Sequence, residues 1–143
     1  MNVLGTKRDE MTAVYLVKSY CLPLLLFSCE IWSIRSDDVR SLNVAWNNAF
    51  RKIFNSCWRE SVKPLQFYCR CLPVSYLIRQ RRLLFWRKLA VSDNTVLRSL
   101  VACCNNNIAA MSDLDGFCLH EVFVSSVGYI KRKIWSNFCS ETV

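Results

Sequence analysis

The chain has 143 residues, 52% of them apolar, with three Gly, three Pro and a formal net charge of +8. That length holds one ordinary domain, burying roughly 68–70% of its unfolded surface, and the apolar content excludes intrinsic disorder. So few Gly and Pro exclude a turn-rich β protein and favour long helices, so the expected fold is all-α: a bundle of about five helices with short connections and a basic central face.

The first predicted helix runs from Asp9, a good cap, to Ile31, with Val14, Val17, Tyr20 or Cys21, and Leu24 near a 3.6 period and a kink or break at Pro23. After Ser19 it is apolar on most sides and needs a partner. Ser36 is a good cap for the second helix, and Asp37 and Asp38 in its first turn complement the positive end of the helix dipole. That helix turns Val39, Leu42, Trp46, Ala49, Phe50 and Ile53 to one face, places Asn43, Asn47, Arg51 and Asn55 elsewhere, and ends near Asn55. A short helix spans Ser61–Tyr68, and Pro73 suits the first position of a helix reaching Ala90. In that helix Val74, Leu77, Ile78, Leu84 and Phe85 face inward, with Arg79, Arg82 and Arg87 on one arc and Arg81 and Lys88 on another. Asp93 is the expected cap of a further helix that ends at Asn105-Asn106-Asn107. Ser112–Gly116 reads as a loop. The last helix runs from Phe117 to Phe138, with Phe123, Val127, Ile130, Ile134 and Phe138 as its apolar stripe and Gly128 weakening it.

The positive charge is local. Between Val39 and Ser92 stand eleven Lys and Arg and a single acid, Glu60, a net charge of +10. A basic block set among Trp, Phe and Tyr is a nucleic-acid footprint, because phosphate binding needs cations and counterion release drives it. The same block is also what a solvated basic face of an ordinary helical protein looks like. Trp46, Phe50, Phe54 and Trp58 lie at i+4 steps, the spacing of a core stripe, with Trp58 beyond the helix end as the exception. Lys131-Arg132-Lys133 reads as the solvated face of the last helix.

Catalytic signatures are missing. Asp37-Asp38 resembles the metal-binding aspartates of a polymerase only superficially, since Arg35 precedes the pair and a helix follows directly. The single histidine, His120, has no Ser or Cys elbow, and three scattered Gly build no phosphate loop. The nine Cys are odd in number (Cys21, Cys29, Cys57, Cys69, Cys71, Cys103, Cys104, Cys118, Cys139) and include no C-x-x-C, so neither a disulfide scaffold nor a zinc site is expected. No cofactor or metal is expected. Several thiols fall in apolar helical stretches, where they act as small hydrophobes in a reduced, intracellular protein of nucleus or cytoplasm. The uncharged run Ser19–Cys29 is too short to span a bilayer. Asp9 and Glu10 spoil the basic end of a signal peptide, and no small-x-small cleavage site follows.

At Leu16-Val17-Lys18-Ser19-Tyr20-Cys21-Leu22-Pro23-Leu24-Leu25-Leu26-Phe27-Ser28-Cys29-Glu30 the chain resembles the region after the polymerase core of non-LTR (LINE-like) retrotransposon reverse transcriptases. That family carries a pattern like P-x-L-x-Y-G-x-E, and here Phe27 and Ser28 stand where it usually has Tyr and Gly. Arg51-Lys52-Ile53-Phe54 resembles the family's R-x-I segment, and Ile78-Arg79-Gln80-Arg81-Arg82-Leu83-Leu84-Phe85-Trp86 its I-x-x-R-R-L-x-F-W segment. The likeness covers Val14 to Leu100 and implies a helical thumb with connecting helices that grips RNA template and nascent DNA. It divides the chain into a thumb-like region, residues 1–100, and a C-terminal helical tail, residues 101–143, within the same domain or beside it. The palm and its Tyr-x-Asp-Asp motif are absent from these residues, so the expectation is a non-catalytic piece of a reverse transcriptase. It would bind RNA or an RNA–DNA duplex through phosphate contacts from Arg51, Lys52, Arg79, Arg81, Arg82, Arg87 and Lys88. The alternative is a relic or interaction module whose apolar segment Leu22–Ile31 self-associates.

Overall fold

The computed structural model describes residues 9–31, 34–109, 122 and 124–142, and among them there are helices and no strand. The fold is all-α. The helices are α1 (Glu10–Leu16), α2 (Leu22–Leu25), α3 (Ser36–Phe54), α4 (Lys63–Tyr68), α5 (Val74–Ala90), α6 (Thr95–Ala109) and α7 (Val127–Thr142), with a π-turn (Val17–Cys21) joining α1 to α2. None is long and apolar enough to cross a membrane.

Asp9 caps α1 as expected, accepting from the Met11 N–H at 3.2 Å. The helix does not run unbroken to Ile31. Pro23 lacks an N–H and its ring crowds the carbonyl four residues back. The π-turn just ahead of it, where the Leu22 N–H donates to the Val17 carbonyl, absorbs that conflict and leaves Pro23 in the first turn of α2. The chain then turns through Leu26–Ile31, with Ser28 at φ 59°.

Ser36 is the first residue of α3 rather than its cap; Arg35, extended at ψ 153°, takes the cap position. Asp37 and Asp38 occupy the first turn, and Asn55 closes the helix in the left-handed region at φ 51°, a conformation Asn tolerates. Pro73 likewise stands one place earlier than expected, at the cap of α5, with no side chain able to satisfy the helix start. Asn43 of α3 does so instead, its Oδ1 accepting from the Val74 N–H at 3.0 Å. Asn94, not Asp93, caps α6, accepting from the Val96 N–H at 2.9 Å and the Leu97 N–H at 3.4 Å. Asn105, Asn106 and Asn107 lie inside α6, because asparagine disfavours a helix interior by only a few tenths of a kcal/mol and does not forbid it.

The expected loop Ser112–Gly116 lies outside the described residues, as do Phe117 and Phe123. The last helix starts later than its periodicity suggests. Ser126 interrupts the run, its Oγ accepting from the Tyr129 N–H at 3.2 Å, so α7 begins at Val127 and extends to Thr142. Gly128 therefore sits in a first turn, where its freedom costs less than in a helix interior.

Two apolar clusters hold the helices together. The first joins Val14, Leu26, Trp46, Phe50, Val74 and Ile78. Within it the Trp46 and Phe50 rings meet edge to face at 5.2 Å, and the Trp46 indole N–H donates to the Leu72 carbonyl at 3.2 Å. The second joins Leu72, Tyr76 and Leu83 to Val122, Ile130, Ile134 and Phe138. Helix α5 therefore borders both clusters. Tyr76 and Leu83, absent from the face expected to point inward, are buried, while Leu77, Leu84 and Phe85 are half-buried.

Phe138 is completely buried against Tyr76, with ring centroids 5.8 Å apart, whereas Val96 on α6 is 65% exposed. Phe138→Ala is expected to destabilise the fold by about 3–5 kcal/mol and Val96→Ala by less than about 0.5 kcal/mol, measured by urea unfolding.

Candidate nucleic-acid interface

Because α5 is packed on two sides, its cations emerge at the seams between helices rather than on an open face. Arg81 donates through Nη1 to the Leu26 carbonyl at 3.3 Å and approaches Glu30 Oε1 at 3.5 Å. Arg82 donates through Nε to the Cys29 carbonyl at 3.2 Å. Arg87 donates through Nε to the Ser125 carbonyl at 2.6 Å. Arg79 lies over the Tyr76 ring, 5.4 Å from its centroid. All four are half-buried and Lys88 alone is exposed. Each guanidinium carries five N–H groups, so these bonds leave other donors on the same head.

Arg51 and Lys52 stand at the other end of the sequence block, in the last turn of α3. Lys52 is exposed. Arg51 donates to Asn48 Oδ1 at 3.1 Å and to the Glu60 carbonyl at 3.4 Å, while its Nε is buried with no partner. The connection it holds carries Trp58, 73% exposed, with the Arg59 guanidinium 5.0 Å from the ring centroid. Trp58 is thus the member of the i+4 aromatic series that reaches solvent, while Trp46 and Phe50 are core. Lys63, at the start of α4, is exposed as well.

The seven sequence-predicted cations do not converge on one point. Arg79 and Arg82 line a cavity of about 320 Å³ beside Ser36 at the start of α3. Arg87 and Lys88 line a largely apolar one of about 810 Å³ with Phe85, Leu89 and Leu97. Arg51 lines one of about 320 Å³ with Asn43, Asn47, Lys63 and Gln66. Arg59 and Lys63, counted in the basic block, and the amides Asn43, Asn47 and Gln66 were not among the seven expected contacts. The available signal was the i+4 spacing of Asn43, Asn47 and Arg51.

Among the described residues no three His, Cys, Asp or Glu side chains converge as metal ligands. His120 and Cys118 lie outside them. The cysteines described, Cys29, Cys71 and Cys103 among them, are unpaired. Burial pushes the Cys29, Cys69 and Cys71 thiols above the ordinary thiol value. Comparison of the chain with protein-family models, with curated proteins and with solved structures finds no match.

A raised thiol value means that the folded state keeps its proton where the unfolded state has lost it. Folding stability is therefore expected to fall as pH rises above about 8.5, where unfolded thiols begin to ionise, and to be restored in a Cys29→Ala, Cys71→Ala variant only in its slope. Urea midpoints between pH 7 and 10 measure this. At pH 7, exposed Cys21, Cys57 and Cys103 are expected to react with an aromatic disulfide well before buried Cys29 and Cys71.

Proposed function

We propose that this chain binds RNA or an RNA–DNA duplex through phosphate contacts, as the thumb-like part of a non-LTR reverse transcriptase, and does so by holding nucleic acid rather than by catalysis. The observation that carries the reading is the +10 block from Val39 to Ser92. It meets solvent through Arg40, Lys52, Arg59, Lys63, Arg70 and Lys88, with the exposed Trp58 ring beside Arg59 as a surface on which a base can stack. The motif pairing supports the family reading. Arg81 and Arg82 of the Ile78–Trp86 segment donate to Leu26 and Cys29 of the Leu16–Glu30 segment, so two stretches that carry the resemblance touch.

A second reading is favoured by one feature. Along the first helical segment Met11, Tyr15, Tyr20, Leu24, Phe27 and Ile31 are 56–81% exposed. Their spacing is four, five, four, three and four, and the five-residue step falls on the π-turn, whose i→i+5 bonding stacks residues five apart. Within the helical part, Met11, Tyr15, Tyr20 and Leu24 therefore form one apolar row, and Phe27 and Ile31 of the following turn add exposed apolar surface beyond its end. Aromatic side chains offer about 150–250 Å² each, so six such residues present on the order of 700 Å², close to the roughly 800 Å² per partner of a stable interface. The proposed occupant is the same row of a second copy, which self-complementarity allows.

Affinity for a fluorescent RNA–DNA duplex is expected to fall steeply between 50 and 200 mM salt, and Lys52→Ala or Lys88→Ala to reduce the logarithmic salt slope by about 1. Affinity that stays flat across that range would refute the phosphate reading. For the second reading, light scattering is expected to give a dimer mass at micromolar concentration and a monomer for Leu24→Lys with Phe27→Glu; a wild-type monomer would exclude it.

A further inference from the structure

Helix α4 ends in a way its sequence disfavours. The Cys71 N–H donates to the Gln66 carbonyl at 2.8 Å and the Arg70 N–H to the Phe67 carbonyl at 3.1 Å, the paired bonds of a Schellman turn. Arg70 takes the left-handed position of that turn, at φ 50°, where glycine is usual and a side chain is strained. It is exposed, and no ion pair engages it among the described residues. The same turn holds a second cation. Exposed Lys18, from the π-turn, donates through Nζ to the Arg70 carbonyl at 3.3 Å.

Beside this turn lies a cavity of about 520 Å³ lined by Phe67, Tyr68, Arg70 and Trp135. Its volume falls within the roughly 300–1,000 Å³ of small-molecule sites. Phe67 stacks on Trp135 of α7, with centroids 5.9 Å apart and planes 15° apart, and both rings pack on the second apolar cluster. Tyr68 meets Phe67 edge to face at 5.9 Å, belongs to neither cluster and is 81% exposed. The inner wall is thus held by the core, while the outer ring stands free in solvent. A free aromatic face with a guanidinium beside it suits a flat ring that carries an anion. No acid lines the cavity, so nothing there repels that anion. A nucleotide unit has both parts, and its base can stack on a side chain only once it has left its duplex.

We propose that this pocket stacks one unpaired base of a nucleic-acid strand on Tyr68, with the flanking phosphates on Arg70 and Lys18. The site rests on the nucleic-acid reading above and extends it from the duplex to a single strand leaving it. Every base has a π face, so the pocket accepts any of them.

The test compares a blunt RNA–DNA duplex with the same duplex carrying a six-residue RNA overhang, each titrated with the full chain by fluorescence anisotropy. The overhang is expected to raise affinity about tenfold, within the range that stacking one base supplies. Tyr68→Ala is expected to abolish that increase and leave the blunt duplex unchanged, and Tyr68→Trp to retain it. Arg70→Ala is expected to lower the logarithmic salt slope by about 1 for the overhang duplex. Because Tyr68 is so exposed, truncating it leaves both clusters intact. Equal affinity for the two duplexes, or an increase that survives Tyr68→Ala, would overturn the stacking site and leave the phosphate reading standing. Binding of the free hexanucleotide that Tyr68→Ala abolishes, beside no binding of the blunt duplex, would sustain the site and overturn the duplex reading. No binding of either would overturn both. A wild-type dimer in light scattering that Tyr68→Ala turns into a monomer would assign the pocket to a second copy and overturn the proposal.

Discussion

Everything in this structure depends on α5 having an apolar neighbour on two sides. Val74 and Ile78 close the cluster built on α1 and α3, and Tyr76 and Leu83 close the one built on α7. A helix sandwiched this way leaves narrow strips for its polar residues, and in α5 those strips hold four arginines. An arginine at a helix seam is tolerable because its long apolar stem packs while its head finds carbonyls. The carbonyls it finds lie in irregular backbone: Leu26 and Cys29 in the turn after α2, and Ser125 ahead of α7. Thus the most basic helix is also the helix that ties the two ends of the chain to its middle.

The sequence made the helices legible because each carries a period, a cap or a breaker. Asp9, Asn55 and the prolines marked boundaries to within a residue or two. What it concealed follows from the double burial of α5. Periodicity finds one apolar stripe, and a helix buried on two sides has none, so Tyr76 and Leu83 escaped while Phe85 was overestimated. Caps were misread where two candidates were adjacent. Asp93 and Asn94 are equally good by type, and only the direction of the chain entering α6 selects the second. At Ser125–Ser126 a continuous apolar period masked a break that a hydroxyl cap creates.

The candidate site was less legible than the fold, for a different reason. Charge is visible in a sequence, but whether a guanidinium faces solvent or a carbonyl is decided by the backbone of a segment some fifty residues away, as with Arg81 and Leu26. The amides of α3 posed the converse problem. Asn43, Asn47 and Arg51 share a stripe that could be solvent-facing on composition alone. Their role emerges only when α4 brings Gln66 beneath it and Pro73, unable to cap α5 with a side chain, leaves the Val74 N–H for Asn43.

A hydrogen bond to a carbonyl occupies a donor without neutralising a charge. Among the α5 arginines, Arg81 has Glu30 beside it, whereas the Arg82 and Arg87 bonds described above end on neutral oxygens. The carbonyl bonds by themselves therefore leave the charge of these heads in place. Long-range attraction of a polyanion depends on the summed field, while the tight contacts depend on whichever heads can still reach a phosphate. On the proposed reading the two requirements separate: the half-buried arginines of α5 contribute mainly field, and the exposed Arg40, Lys52, Arg59, Lys63, Arg70 and Lys88, with Trp58, contribute reach. On that reading, a surface divided this way favours capture first and local engagement second, at the exposed cations around the α3–α4 connection.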